Sequence, residues 1–281
     1  MDMMAEEWPE DGIDFDDPRV VAAYDELPLW SAPFGMLLLE RVPLAPGMTV
    51  LDVGCGTGFP LLELAQRLGP SSTVYGIDPW RPALERARQK AEWYGADHVH
   101  LVEGDAAAMP FGDAAFDLVV SNLGINNFAD ADTALSEALR VTRPGGRLVT
   151  TSNYRGHMDE FYRVYRAVLE EVAPEAIGAL EAHVAHRTTP GELSARLERA
   201  GWRVTASTGR EFRMRFAGGA ALMRHYFIRL GFKPGWRDVV PAEKRGIVYP
   251  ALVAALDELA AREGGLALTI PFGCVEAERP A

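Results

Sequence analysis

Cysteine is nearly absent from this chain, with two residues, Cys55 and Cys274, in 281. Neither their number nor their spacing builds a metal cluster or a disulfide framework, so no metal is expected. Basic residues are also in short supply: 28 Lys and Arg stand against 40 Asp and Glu, a formal net charge of -12. A protein that grips duplex DNA or bulk RNA must neutralise phosphates, so no nucleic-acid partner is expected. Long apolar runs are missing too. No stretch reaches the roughly eighteen apolar residues of a membrane span. The N-terminal MDMMAEEWPEDGIDFDDP is acidic and lacks the apolar core of a signal peptide. The expected setting is the cytoplasm. Internal repeats and low-complexity tracts are absent. What is present, 48% hydrophobic residues over this length, suffices for one large core with an attached subdomain.

The order of elements is the first positive signal. Residues 18–28 read as a short helix and 34–42 as a more apolar one, stopped by PLAPG. MTVLDVG reads as a buried strand, and 59–68 as a helix starting directly after the last glycine, with Pro60 in its first turn. Strand TVYGID, helix 81–94, strands VHLVEGD and FDLVVSN, helix 131–141, a turn at RPGG and strand RLVTTS follow. Strand and helix thus alternate from 48 to 151, the pattern of a doubly wound α/β sheet with helices on both faces. Beyond residue 152 the rhythm breaks. HMDEFYRVYRAVLEEV and GALEAHVAH read as helices. Thr189 caps another, with Glu192 completing a capping box. WRVTAST is a sixth strand, 218–230 and 250–263 are helical, and LALTIPFGCVEAE is a seventh strand. The interruptions at 153–188 and 209–249 are too long for plain connections. Both are rich in aromatic residues and arginine, and a cap over the carboxyl edge of the sheet accounts for them.

The stretch TVLDVGCGTG carries the chemistry. Glycines 54, 56 and 58 follow an apolar strand and precede a helix, where backbone can approach a ligand and N–H groups stand free. A dinucleotide fold wants G-x-G-x-x-G. Here the spacing is one residue shorter, and Asp52 would repel a pyrophosphate. That weighs against a nicotinamide oxidoreductase and for a ligand with an ammonium group. Asp78, twenty residues beyond Gly58, stands where a carboxylate accepts from ribose hydroxyls; a cap ahead of Pro79 and Trp80 is its structural alternative. Trp80 suits stacking on a base or filling a gap under the next helix. Asp105 and the N–H of Ala106 are placed for a purine. Ammonium, ribose and adenine without phosphate describe S-adenosylmethionine.

These residues resemble the motifs of class I S-adenosylmethionine-dependent methyltransferases, in the small-molecule group that includes the ubiquinone and menaquinone biosynthesis enzymes. VLDVGCGTG is similar to the first motif, GIDPW to the second and EGDAAAMPF to the third. FDLVVSNLGINNF and LRVTRPGGRLVTT are similar to the fourth and fifth. The likeness runs from about residue 20 to 151 and more loosely to the end. It implies S-adenosylmethionine as cofactor, with Asp52, Gly54, Gly56, Gly58, Asp78, Pro79, Trp80, Asp105, Ala106 and Asn122 around it. It also implies a seven-stranded Rossmann-like sheet of order 3-2-1-4-5-7-6 with the last strand antiparallel, here with helical cap insertions. The fifty-residue excursion between strands six and seven departs from simpler relatives. The segments expected are a helical cap piece at 1–45, the cofactor-binding core at 46–152, cap insertions at 153–188 and 209–249, and core pieces at 189–208 and 250–281.

The acceptor is less legible. The loop after the fourth strand holds Asn122, Asn126 and Asn127, each a candidate contact or a plain turn residue. No Asn-Pro-Pro-Tyr motif is present, which weakens a base-modifying reading. The sulfonium is already activated, so positioning and water exclusion do much of the work, and a base is needed only for a nucleophile that holds its proton. His157, His183, His186 and His225 are candidate bases, with His157, Asn122 and Tyr24 named as the catalytic set. Tyr24, Asn126, Asn127, Tyr154 and Tyr162 are the candidate substrate contacts. Arg155, Arg163 and Arg166 are available to an anionic substrate. The expected activity is methyl transfer to oxygen or carbon, with nitrogen as a further option, of a small quinone-like or polyketide-like ring. Methylation of RNA or protein is the enzymatic rival, and a non-catalytic cofactor- or partner-binding module the other. A homodimer is compatible with the aromatic insertions.

Overall fold

The computed structural model describes residues 13–26 and 30–281. The acidic start at 1–12 and the end of the expected 18–28 helix lie outside the described residues. The described residues form two compact units: Phe15–Asn153, Thr188–Arg210 and Phe272–Ala281 make a sheet unit, and Tyr154–Arg187 and Glu211–Pro271 a helical unit. Residues 15–45, expected as part of a cap, therefore belong with the sheet.

In the sheet unit, α1 (Pro18–Asp25) and α2 (Ser31–Arg41) precede β1 (Thr49–Val53), α3 (Leu61–Leu68), β2 (Thr73–Asp78), α4 (Arg81–Trp93), β3 (Val99–Glu103), β4 (Phe116–Asn122), α5 (Ala131–Val141) and β5 (Thr142–Asn153). In the helical unit, α6 (Asp159–Val172) and α7 (Ile177–Ala185) follow, before α8 (Pro190–Arg199) returns to the sheet and β6 (Arg203–Phe216) leaves it. Then come α9 (Gly219–Arg224), α10 (Tyr226–Gly231), α11 (Lys233–Asp238), α12 (Arg245–Glu263) and β7 (Leu266–Glu278). The seven strands lie in the order β3-β2-β1-β4-β5-β7-β6. β1, β2, β3, β4 and β5 pair in parallel, and β7 runs antiparallel to β5, with Leu148 opposite Ala277 and Asn153 opposite Phe272. The family sheet order and the antiparallel last strand are both present. Val50, Leu51, Val74, Leu118, Val119 and Val149 are fully buried along the central strands, as a sheet covered on both faces requires.

Several boundaries differ from the sequence reading. α3 begins at Leu61, since Gly58 at φ +99 cannot be helical and the turn runs on through Pro60, which sits at the N-cap. RPGG lies inside β5: Thr142 pairs with Phe116, and the register shifts before Leu118 meets Arg147. β6 continues to Phe216, so the interval 209–249 opens with strand. The helix expected at 218–230 breaks at His225, whose backbone is extended (φ -59, ψ 126) and whose ring meets Phe216 edge-on at 5.5 Å. α12 starts at Arg245 rather than Pro250. The proline stands close enough to the N-terminal end to cost a single backbone bond.

The helical unit has its own core. Trp236 stacks on Phe161 at 4.0 Å, and the hydroxyl of Tyr165 donates to the Trp236 carbonyl at 2.7 Å. Among the described residues no helix is long and apolar enough to cross a membrane.

The capping box of α8 is formed: Glu192 N–H donates to Thr189 Oγ1 at 3.2 Å, and Thr189 N–H to Glu192 Oε2 at 2.8 Å. Thr189→Ala leaves one helical N–H without its cap and is expected to cost about 1 kcal/mol. Urea denaturation of the two proteins measures it.

Candidate functional site

The carboxyl ends of β1, β2 and β3 share one edge of the sheet, and the strand order reverses between β1 and β4. Open α/β sheets bind ligands at that point. The bend after β1 is held by β2: the N–H groups of Gly54 and Cys55 donate to the Ile77 carbonyl at 2.8 and 3.3 Å. Gly54, Gly56 and Gly58 all have positive φ. A side chain on Gly58 would meet Leu62 at 3.0 Å and Ala87 at 3.2 Å, so this glycine serves packing. One on Gly56 would meet nothing within 4 Å: its φ of +50 is a backbone demand, and the space beside it is open.

Asp78 joins bend and strand. Its Oδ2 accepts from Gly56 N–H and its Oδ1 from Trp80 N–H, both at 2.8 Å. The expected capping contact ahead of α4 is therefore present. Each oxygen keeps a lone pair for a further donor. Burial pushes this carboxyl above its ordinary value, against the pull of the two N–H groups.

Asp52 lies deeper. It is fully buried, and neither of its oxygens has a hydrogen-bond partner. Burial, first, and the nearby charge of Asp78, second, raise its carboxyl to about 8; the amide at the start of α3 opposes them only weakly. A buried group left this way is expensive and calls for a donor. Cys55 in the same bend is buried, and desolvation lifts its thiol well above the ordinary value, which removes it as a nucleophile.

Tyr24 and Trp80 flank this edge. Their rings meet edge-on at 5.2 Å, and Trp80 Nε1 donates to the Phe15 carbonyl at 2.9 Å. The Tyr24 ring is 37% exposed, yet burial of its hydroxyl and then the charge of Asp78 raise its phenol. α1 is pinned beside the bend by Asp25, which pairs with Arg86 at 2.8 Å and with Lys90. Burial opposes ionisation of Asp25, but Lys90, Arg86 and the Thr57 hydroxyl hold its carboxyl below the ordinary range. Since Thr57 belongs to the glycine bend, helix and bend share one network. Sequence reasoning missed Asp25, whose role depends on partners far along the chain.

Asp105 is exposed, and its Oδ1 accepts from Ala107 N–H at 2.8 Å. Gly104 N–H donates to the Asp78 carbonyl at 3.2 Å, which sets this loop beside the end of β2. Arg140 clamps its far end, donating to the carbonyls of Phe111 at 2.8 Å and Met109 at 3.1 Å. Pro79 lies between Asp78 and Trp80 at the entry to α4.

The three asparagines after β4 divide. Asn122 is buried; its Oδ1 accepts from Thr151 Oγ1 at 2.7 Å and its Nδ2 donates to the Ser31 carbonyl at 3.3 Å. Its amide thus fastens α2 to the sheet edge. Asn126 donates to Asn153 Oδ1 at 2.7 Å and accepts from Ser152 Oγ at 2.6 Å. Asn127 is exposed. Between them Leu123 holds a left-handed backbone at φ +65, an unfavourable conformation for a branched side chain and a strain that marks this loop.

Tyr154, His157 and Tyr162 belong to the helical unit, and all three are buried. The Tyr162 hydroxyl accepts from Trp236 Nε1 at 3.1 Å and lies 3.3 Å from His183 Nε2. Burial, then the charges of Arg187, His183 and His186, lower His157 to about 3, so the ring is neutral at pH 7. Burial lowers His225 as well. Arg155, Arg163 and Arg166 are each engaged, with the Ala185 carbonyl, the Asp159 carbonyl and the Glu181 carboxylate.

The methyltransferase-domain family matches residues 44–201. Demethylmenaquinone methyltransferase of Thermus thermophilus is 39% identical over 160 residues, 57% of this chain and 70% of that protein. The enzyme of the same name from Anoxybacillus flavithermus is 36% identical over 136 residues, and the chain covers 57% of its length. Nocamycin O-methyltransferase of Saccharothrix syringae is 30% identical over 276 residues, 94% of this chain and 97% of that protein. Among solved structures, a SAM-dependent methyltransferase from Aquifex aeolicus superposes with a TM-score of 0.54 at 24% identity, covering 68% of this chain and 92% of that one. The SAM complex of geranyl diphosphate methyltransferase gives 0.52 at 20%, covering 96% and 92%. These two likenesses establish the fold.

Asp52 makes stability depend on pH in a defined sense. Its folded carboxyl, at about 8, holds a proton that the unfolded chain releases near 3.8. The folded state binds more protons between those values, so this residue's contribution falls as pH rises from about 4 to 8 and is level beyond. Urea titrations at pH 5 and pH 8 should show Asp52→Asn gaining stability relative to wild type at pH 8, with a smaller difference at pH 5.

Proposed function

The chain belongs to the methyltransferase-domain family, and from that premise we propose that it transfers a methyl group from S-adenosylmethionine to oxygen or carbon of a small organic acceptor, a quinone-like or polyketide-like ring being favoured. The observation that carries this reading is the pairing of an orphaned, fully buried Asp52 carboxyl with the open space beside Gly56 at the switch point of the sheet. A phosphate ligand would be repelled there by Asp78. A ligand with an ammonium group and a ribose offers Asp52 and Asp78 a donor each. When bound, the cofactor supplies a methyl carbon already activated by its sulfonium.

The residues of the chain bind and orient. Asp52 and the bend of Gly54, Gly56 and Gly58 serve the amino-acid end. Asp78 spends one lone pair of each oxygen on the backbone and keeps the others for ribose hydroxyls. Asp105 with Ala106 faces the adenine side, and Trp80, after Pro79, packs with Tyr24 over the sugar and base. Thr57 and Asp25 keep α1 in place so that water is excluded at this edge. Asn122 acts through its grip on Ser31 and Thr151 and is a positioning residue. Asn126 and Asn127, in the loop after β4, are the candidate acceptor contacts of the sheet unit. His157, neutral at pH 7, is the candidate proton acceptor of the helical unit, and a weak one. The identity with demethylmenaquinone and nocamycin O-methyltransferases supports a ring-bearing acceptor and oxygen or carbon as the methylated atom.

Incubation with isotopically labelled S-adenosylmethionine and a metabolite extract, followed by mass spectrometry, should reveal a labelled product one methyl group heavier than its precursor. Labelled RNA or protein instead would overturn the small-molecule assignment. Calorimetry should show uptake of S-adenosylhomocysteine and none of NAD. Asp78→Ala removes the acceptor of two charge-assisted bonds and should weaken S-adenosylhomocysteine by about tenfold or more.

A further inference from the structure

The carboxyl ends of β4 and β5 carry a polar group that the cofactor-binding residues do not use. Asn153 is the last residue of β5 and is 2% exposed. Asn126, from the loop after β4, donates to its Oδ1 at 2.7 Å. Ser152 Oγ closes the group, 2.6 Å from Asn126 Oδ1 and 2.9 Å from the Asn153 carbonyl. The loop is fastened to β5 at its start, where the N–H of the left-handed Leu123 donates to Thr151 Oγ1 at 3.1 Å. All of these residues lie in the sheet unit.

One atom of the group is left over. Asn153 Nδ2 is buried and has no hydrogen-bond partner. Exchanging nitrogen and oxygen in both amides does not remove the deficit. Asn153 would then donate to Asn126, Asn126 to Ser152, and the Ser152 hydroxyl to the Asn153 carbonyl, which leaves a bare Oδ1 on Asn153 in place of a bare N–H. In either orientation Asn126 fixes the amide and one terminal atom of Asn153 lacks a partner, a costly state for a buried polar atom.

The neighbourhood of this atom is aromatic. Phe272 of β7 is the strand partner of Asn153, so the two side chains leave the same face of the sheet. Phe34 of α2 packs on Phe272 at 4.7 Å, and Trp30, just ahead of α2, on Phe34 at 5.5 Å. The Asn122 amide holds α2 at this edge by donating to the Ser31 carbonyl. Asn126 and Trp30 are half-buried, so the group borders solvent.

The side chains of the group, Asn126, Ser152 and Asn153, are uncharged, so an ion would arrive there without a counter-ion. A neutral hydroxyl both donates and accepts, and it completes the amide in either orientation. We propose that Asn153 is a specificity-determining residue for the acceptor: its amide anchors a hydroxyl borne on an aromatic ring, with the ring against the Phe34–Phe272 pair. Asn126 and Ser152 are positioning residues that hold the amide. The hydroxyl keeps its proton in this contact, and the amide anchors the ring without acting as a base. That the ring is the methyl acceptor rests on the methyltransferase reading; the recognition of a ring hydroxyl by Asn153 does not.

Fluorescence titration of the full chain at pH 7 with 2-naphthol, and with naphthalene as the same frame without the hydroxyl, tests this. 2-Naphthol should bind saturably and about tenfold more tightly than naphthalene. Asn153→Leu, close in shape to the native residue, should erase that preference by weakening 2-naphthol and sparing naphthalene; a purely structural role would weaken both alike. Asn153→Asp keeps a hydrogen-bond acceptor and should retain part of the preference. Near-ultraviolet circular dichroism checks that each variant is folded, and the comparison of the two compounds on the unaltered chain decides the matter if a variant is not. Absence of saturable 2-naphthol binding, naphthalene bound equally well, or a preference kept in a folded Asn153→Leu would overturn the proposal. S-adenosylhomocysteine is titrated in parallel. A hydroxyl preference without its uptake would sink the methyltransferase reading and leave the Asn153 site standing; its uptake without a hydroxyl preference would do the opposite.

Discussion

The carboxylate of Asp78 is the junction on which the sheet edge depends. One oxygen takes the N–H of Gly56 and the other that of Trp80, so a single side chain ties the glycine bend after β1 to the entry of α4. A bend with three residues at positive φ has many conformations open to it when unfolded. The two bonds to Asp78, with the two amides on Ile77, select one of them. Among the described residues no lysine or arginine offsets the charge of Asp78, and its influence reaches Asp52, which stays protonated up to about pH 8. A buried carboxyl whose ionisation is disfavoured by a neighbouring carboxylate is one whose charged form a cation would stabilise.

The same edge shows how a short helix becomes part of a binding site. α1 has a small buried surface, with Val21 its one fully buried residue. What holds it is Asp25, shared among Arg86, Lys90 and Thr57. Asp25 is half-buried, so these pairs count for more than exposed surface pairs. Tyr24, the next residue along, is thereby carried onto Trp80.

The extent to which the sequence was legible follows from where each element gets its stability. β2 and β7 were readable to the residue because strands in covered sheets are contiguous apolar runs. Asp78 was readable because its role is fixed by distance from the bend. β6 was read short: beyond Thr208 it runs Gly, Arg, Glu, Phe, Arg, Met, Arg, Phe, and on an edge strand such charges conceal the pattern. The break at His225 has no glycine or proline to announce it; tertiary packing overrides local propensity there. Among the arginines, helical spacing pointed to 155, 163 and 166, but spacing does not tell which guanidinium will find a carbonyl or carboxylate.

Burial raises both carboxyls at this edge, and the charge of Asp78 adds to the rise at Asp52, so the deeper group keeps its proton at neutral pH. Polar groups buried in this way lower stability, since packed apolar groups of similar size would fold at less cost. Local rules broken without local compensation are characteristic of sites that a ligand completes. Asp52, which lacks a hydrogen-bond partner, and the open space beside Gly56 break those rules at the same bend.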